Sequence, residues 1–254
     1  MRIAVAGATG YIGTLTVANL QWEGHEVVRM SRSLGVDLVS GQGLDEALVG
    51  VDVVVDVTSS AAAGVEETVT FFGTATANLL AAEQKAGVKH HVLLSIAHLH
   101  SFAGNAHYAG KKEQERLVEA GPVPWTIVPA TQFHDFPAMV AGWTAQDGVA
   151  PIQPMLIQPI APADVAAVLA EVAVGAPAGR HVDVAGPEAQ DMVDMARRTF
   201  EARGQAIKLV PTWDGPIFGV EMAGSGLLPG PDARILPTTF DEWLDQERKA
   251  AAER

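Results

Sequence analysis

Three residues able to handle protons follow one another along the chain: Ser95, Tyr108 and Lys112. Tyr108 and Lys112 are four positions apart, so on a helix their side chains share a face. An ammonium beside a phenol favours the phenolate and draws its pKa down from about 10, which lets the ring give or take a proton near neutrality. Ser95 lies thirteen residues before the tyrosine, and its hydroxyl would align an oxygen that receives that proton. The plain alternative is a surface lysine beside a half-buried tyrosine. With only two tyrosines in 254 residues, the spacing seldom arises by chance.

A proton donor of this kind needs a second reactant held beside it, and the first thirteen residues supply a place for one. Residues Arg2 to Gly13 read RIAVAGATGYIG. Ile3, Ala4, Val5 and Ala6 form a short apolar run typical of a strand buried on both faces. Gly7, Gly10 and Gly13 follow, with Thr9, Tyr11 and Ile12 among them, and Leu15 to Trp22 read as a helix. Such a strand–glycine turn–helix binds dinucleotides. The first glycine allows the tight turn, the second lets backbone N–H groups approach a pyrophosphate, and the third lets helix and strand pack closely. The spacing is GxxGxxG, a variant of GxGxxG, and its weight comes from its position directly after a strand.

The end of the next strand bears on which dinucleotide is taken. An acid there would bind both ribose hydroxyls of NAD(H) and repel a 2′-phosphate. This chain has Ser31, Arg32 and Ser33 there, with Arg29 just before, and its nearest acid, Asp37, comes five residues late. A guanidinium flanked by hydroxyls suits a phosphate, so NADP(H) is expected ahead of NAD(H).

The elements that must carry these residues alternate. Strands are expected over Glu26 to Arg32, Val36 to Val39, Val51 to Val57, His91 to Ser95 and Trp125 to Pro129. Helices are expected over Gly43 to Leu48, Thr68 to Lys85 and Lys111 to Glu119. Alternation with short connections predicts an α/β fold, a Rossmann-type doubly wound parallel sheet. After about residue 135 the pattern becomes smaller and mixed. Helices are expected over Ala163 to Val174 and Gln190 to Arg203, and strands over His181 to Ala185 and Ile207 to Pro211. Thr239 with Glu242 reads as a capping box opening a last helix from Phe240. Residues 1–135 are thus expected to form the dinucleotide-binding domain. Residues 136–254 are expected to form a small mixed α/β lobe for substrate, laid over the carboxyl ends of the strands. Within it, the stretch from Trp213 to Pro237 lacks periodicity yet carries Ile217, Phe218, Met222, Leu227 and Leu228, which suggests a loop covering the substrate.

Composition narrows the partners. The formal net charge is −13 and no basic run exceeds Lys111-Lys112, which argues against nucleic acid and anionic membranes. An anionic cofactor must then be held by local donors. Hydrophobic residues make up 48%, well above the range of disordered chains, and there is no cysteine for a disulfide or thiolate metal site. The sequence shows neither a signal peptide nor an apolar stretch long enough to cross a membrane. A cytoplasmic protein acting on a small-molecule substrate, as monomer or homodimer, is expected.

Taken together, Gly7 to Gly13, Arg32, Ser95 and Tyr108-Ala-Gly-Lys-Lys112 resemble the short-chain dehydrogenase/reductase superfamily. Other segments are similar to its atypical, NmrA-like NAD(P)H-binding branch: Asn78 to Val88, Val123 to Pro129, Gln132-Phe133, Asp164-Val-Ala and Val184-Ala-Gly-Pro187. The resemblance implies a Rossmann domain, NADPH binding and a small C-terminal substrate lobe. It also implies a nicotinamide near Thr131, Gln132 and Phe133, with Thr58 and Ser59 along the cofactor. Some members of this branch have lost the Tyr-Lys pair and sense the dinucleotide redox ratio without turnover; the pair retained here favours catalysis. The chain departs from many relatives in having Val128-Pro129 where they have Arg-Pro.

Among the histidines, His90 and His91 are expected at the surface, while His98, His100, His107 and His134 lie near the inferred site. His134, Phe136, Trp213 and Phe218 are the expected substrate contacts. The histidines lack the ligand-rich spacing of zinc sites, and no metal is expected.

Overall fold

The structure is a computed structural model that describes residues 1–60, 64–214 and 217–252. Along the chain the elements are β1 (Arg2–Ala6), α1 (Tyr11–Trp22), β2 (Glu26–Met30), α2 (Leu44–Ala47), β3 (Val53–Asp56), α3 (Val65–Ala86), β4 (His90–Ile96), α4 (Ala106–Ala120) and β5 (Trp125–Ala130). Then come α5 (Phe136–Thr144), β6 (Val149–Ile152), β7 (Leu156–Ile157), α6 (Pro162–Val174), β8 (Gly179–Arg180), β9 (Val184–Ala185), β10 (Gln190–Asp191), α7 (Met192–Ala202), β11 (Lys208–Pro211), β12 (Arg234–Ile235) and α8 (Phe240–Ala252). The chain divides into two compact units: residues 1–129 with 165–182, and residues 130–164 with 183–254.

In the first unit β1 is central. It pairs in parallel with β2 on one side and β3 on the other, and β3 pairs in parallel with β4. The strand order β2-β1-β3-β4-β5 is completed by β8, parallel to β5. Ile3, Ala4, Val5 and Ala6 are all fully buried, as expected of a strand covered on both faces. Because the chain leaves β1 in one direction for β2 and then in the other for β3, the sheet reverses its winding between β1 and β3. Ligands of open α/β sheets bind beyond the carboxyl ends of the strands at such a reversal.

The strand expected over Val36 to Val39 does not form. Gly35, Gly41 and Gly43 all have positive φ, between 76° and 85°, and they turn the chain instead. The Asp37 carboxylate accepts from the Val39 N–H at 2.9 Å, and the Asp37 N–H donates to Gln42 O at 2.9 Å. Val36 still fills the core. His90 and His91 are likewise not at the surface. They begin β4 and are buried, at 2% and 0% exposure. His90 Nε2 meets Thr126 Oγ1 at 2.9 Å, and His91 Nδ1 lies 2.9 and 3.1 Å from the two oxygens of the buried Glu83 carboxylate. One nitrogen of each ring is thus paired, while His90 Nδ1 and His91 Nε2 are buried without a hydrogen-bond partner among the described residues.

The second unit is held by short strands and three helices. Ala130 pairs with Val184, β9 with β12, β6 with β11, and β7 with β10. Met192, Met195, Phe240, Trp243 and Leu244 form much of the core. The capping box forms as expected: the Thr239 N–H donates to Glu242 Oε2 at 2.8 Å and the Glu242 N–H to Thr239 Oγ1 at 3.2 Å. Such a cap stabilises a helix by about 1 kcal/mol. The stretch expected to be a substrate cover carries buried side chains instead: Phe218, Met222 and Leu227 are at most 6% exposed, and Phe218 packs on Phe136. Residues 215 and 216 of that stretch lie outside the described residues. No helix among the described residues is long and apolar enough to cross a membrane.

Candidate dinucleotide site

The first unit presents the turn after β1 as the sequence suggests. Gly7 has φ +82°, which an L side chain resists. Its N–H donates to Met30 O at 3.0 Å, and the Gly10 N–H donates to Gly7 O at 2.9 Å, closing the turn. Gly13 shows why no other residue fits there: a Cβ would lie 2.1 Å from Gly7 O and 2.9 Å from Ala8 Cα. Helix α1 therefore approaches the turn backbone to backbone. Its N-terminus begins at exposed Thr9, Gly10 and Tyr11, followed by buried Ile12, and carries no side-chain cap. An uncapped helix start directs N–H groups and the positive end of the helix dipole outward, which suits a pyrophosphate.

At the end of β2, Ser31 and Ser33 bring their hydroxyls to 3.0 Å of one another around Arg32, which opens a short 3₁₀ turn over Arg32–Leu34. Arg29 and Arg32 are exposed. Neither has an ion-pair or hydrogen-bond partner for its guanidinium among the described residues. Two uncompensated guanidiniums in a chain of net charge −13 make this a local positive site. The residues present therefore fit a dinucleotide carrying a 2′-phosphate.

The ends of β3 and β4 complete the unit's row of strand ends. The turn after β1 packs on the first of them, since a Cβ on Gly7 would stand 2.9 Å from Val57 O. The Thr58 N–H donates to Asp56 Oδ1 at 2.9 Å, and exposed Ser59 follows it. Ser95 is 4% exposed, and its hydroxyl has no hydrogen-bond partner among the described residues. Tyr108 sits in the first turn of α4 and is 6% exposed. Its N–H donates to the Asn105 side chain at 3.2 Å, and its ring packs so closely on Gly104 that a Cβ there would lie 2.5 Å away.

Of the two adjacent lysines, Lys112 donates to Phe102 O at 2.5 Å and Ala103 O at 3.2 Å, bracing the segment ahead of α4. Lys111 is the buried one. It donates to Leu94 O at 2.6 Å and to Gln114 Oε1, with its ammonium 5.4 Å from the centre of the Phe72 ring. Burial pulls its pKa down to about 8, against the opposing pull of Asp56 and Glu115. Sequence reasoning passed over Lys111, Gln114 and Asp56. The available signal was the i, i+3, i+7 run Lys111, Gln114, Val118 of buried positions on α4.

In the second unit, the Thr131 N–H donates to Val184 O at 3.0 Å, while Thr131 Oγ1 and Gln132 Oε1 are buried without partners among the described residues. The backbone at Phe133 bridges to Ile160. His134 is 1% exposed, with Nε2–H donating to Pro159 O at 3.2 Å and its ring edge-on to Phe240 and Trp243. Burial pulls its pKa down to about 4. This is a neutral core histidine, so the substrate contact expected of it is not retained. Phe136 and Phe218 bring their rings to 5.8 Å, and Trp213 is partly exposed. Among the described residues, no group of three His, Asp or Glu gathers where a metal ion would sit.

Three solved structures show the same fold at low identity. A short-chain dehydrogenase/reductase superfamily protein from Agrobacterium tumefaciens, with bound NAD, has a TM-score of 0.71 at 17% identity, over 100% of this chain and 98% of its own. The NADPH-dependent quinone oxidoreductase of Escherichia coli, complexed with NADPH, has a TM-score of 0.61 at 19% identity, over 83% and 78%. The Citrobacter triphenylmethane reductase complexed with NADP(H) has a TM-score of 0.60 at 17% identity, over 84% and 79%. No curated protein matches the sequence. The NAD(P)H-binding family model matches residues 7–174, from the first glycine of the turn to the end of α6 and so well over half of the sequence; the chain belongs to the NAD(P)H-binding family.

Proposed function

We propose that the protein is an NADPH-dependent oxidoreductase of the atypical short-chain type, reducing an apolar carbonyl, quinone or conjugated small molecule. The observation that carries this reading is the buried Ser95 hydroxyl at the end of β4, without a partner among the described residues, in the same unit as the uncapped glycine turn. A buried hydroxyl of this kind costs about 1–3 kcal/mol unless something accepts its proton or donates to it. When bound, the reduced dinucleotide supplies the hydride. Gly7, Thr9, Gly10, Tyr11, Ile12 and Gly13 hold its pyrophosphate, and Ser31, Arg32 and Ser33 its 2′-phosphate. Thr58 and Ser59 complete the cofactor contacts of that unit. Ser95 orients the acceptor oxygen and Tyr108 donates a proton to it, with Lys112 favouring the phenolate that remains. Residues 136–254 select the substrate through Phe136 and the partly exposed Trp213. The reductases among the similar structures support a reaction of this class.

A second reading, an NmrA-like protein that senses NADP(H) without turnover, draws on one observation. Lys112 is held by two backbone carbonyls, as a purely structural lysine would be. Tyr108→Phe separates the two. An enzyme keeps its NADPH affinity and loses about 10²–10⁴-fold in turnover of a carbonyl substrate, the usual worth of positioned acid catalysis. A sensor binds NADPH tightly in wild type and variant alike, and does not oxidise it whichever acceptor is supplied.

A further inference from the structure

We propose that Gln114 is a positioning residue for the dinucleotide, a buried amide that fixes the turn at Thr58 and the ammonium of Lys111 together. Gln114 is fully buried. Its Nε2 donates to Asp56 Oδ2 at 2.9 Å and lies 3.5 Å from Thr58 Oγ1, while its Oε1 accepts from Lys111 Nζ. The orientation of the amide is set by charge, because the oxygen must face the ammonium and the nitrogen the carboxylate. Asp56 in turn accepts from the Thr58 N–H at 2.9 Å through its other oxygen, and Lys111 donates to Leu94 O, next to Ser95.

One side chain of α4 therefore ties down the ends of two strands, β3 and β4. Thr58 and Ser95 are the residues at those ends that the proposed function uses, and the inference rests on that reading. The arrangement also explains a buried lysine and a buried aspartate that form no direct ion pair: the amide stands between them and satisfies both. Removing it leaves two charged groups each short of a partner in a dry interior, where they reorient to find one. The turn at Thr58 then loses its fixed position while the apolar core of the unit is untouched.

The test uses the full chain and three variants: Gln114→Leu, Gln114→Glu, and the swap Gln114→Glu with Asp56→Asn. The swap preserves net charge, the acceptor for Lys111 and the hydrogen bond between positions 56 and 114, with the asparagine amide donating to the introduced carboxylate. NADPH affinity is measured by fluorescence titration, folding by thermal unfolding, and the Thr58 amide by hydrogen exchange. Each single variant is expected to fold, to bind NADPH about tenfold or more weakly, and to exchange the Thr58 amide faster. The swap is expected to return affinity to within about threefold of wild type. A folded single variant that binds as wild type does overturns the proposal. So does failure of both single variants to fold, because the role is then structural. If the wild type binds no NADPH, the proposed function fails, and Thr58 exchange alone decides: acceleration in Gln114→Leu supports the positioning role and unchanged exchange overturns it.

Discussion

Gly13→Ala is the sharpest probe of the turn that begins the dinucleotide site. The added Cβ would stand 2.1 Å from Gly7 O, 2.8 Å from Gly7 C and 2.9 Å from Ala8 Cα. All three are backbone atoms, so no side chain can swing aside. Ordinary carbon–oxygen contact needs 3.4 Å or more, so α1 and the turn must part by about 1 Å. Overpacking of this kind costs about 1–3 kcal/mol. Alanine returns about 1 kcal/mol through its better helix propensity. A net loss of up to about 2 kcal/mol corresponds to a fall in Tm of up to about 8 °C for a chain of this size. The displaced turn should also bind NADPH at least about tenfold more weakly, because the N–H groups of the turn move with it. Gly10→Ala is the control, since its Cβ meets only Gly7 O, at 3.3 Å, and its Tm should stay close to wild type. Circular dichroism melts and a fluorescence titration read both effects. A Gly13→Ala protein that melts and binds as wild type does would refute the close-approach argument.

Three further outcomes follow from particular side chains. Arg32→Ala should weaken NADPH binding by about 10–100-fold and leave NADH binding unchanged, as expected when a charge-assisted contact to a 2′-phosphate is lost; equal losses for both dinucleotides would contradict the placement of that phosphate. Burial holds His90, His107 and His134 neutral, with pKa values pulled down to about 4. Unfolded histidines take up protons near pH 6.5, so this stabilisation is complete above that pH and is lost as pH falls from 6.5 towards 4; Tm measured across that range should drop steeply, and a flat profile would show the rings to be accessible. Met222→Ala removes a fully buried side chain from the 213–237 segment and should destabilise the protein by about 2–5 kcal/mol in a denaturant titration, whereas a covering loop would tolerate it.

What was legible in the sequence follows from how directly a residue type reports backbone geometry. The glycines of the turn did so because Gly7 needs a positive φ and Gly13 has no room for a Cβ. The capping box at Thr239 was readable because both partners are local. Val36 to Val39 misled because an alternating apolar pattern carries no sign of the flanking positive-φ glycines until their conformations are known. Which of two adjacent lysines is buried depends on the phase of α4 against α3, and Gly110 settles it, since a Cβ there would strike Phe72 and Thr68. The second unit was least legible, because strands of two to four residues are too short to show a period. Its apolar loop read as a cover, although its side chains complete the core.

The most direct test of the central claim is NADPH oxidation by the wild-type protein, followed by the loss of absorbance at 340 nm with a panel of apolar carbonyls and quinones. The proposed function predicts acceptor-dependent oxidation by at least one member, faster with NADPH than with NADH, and cut by about 10²-fold or more in Tyr108→Phe for a carbonyl acceptor. Tight NADPH binding without oxidation by any acceptor would contradict it and leave the protein a sensor of the dinucleotide.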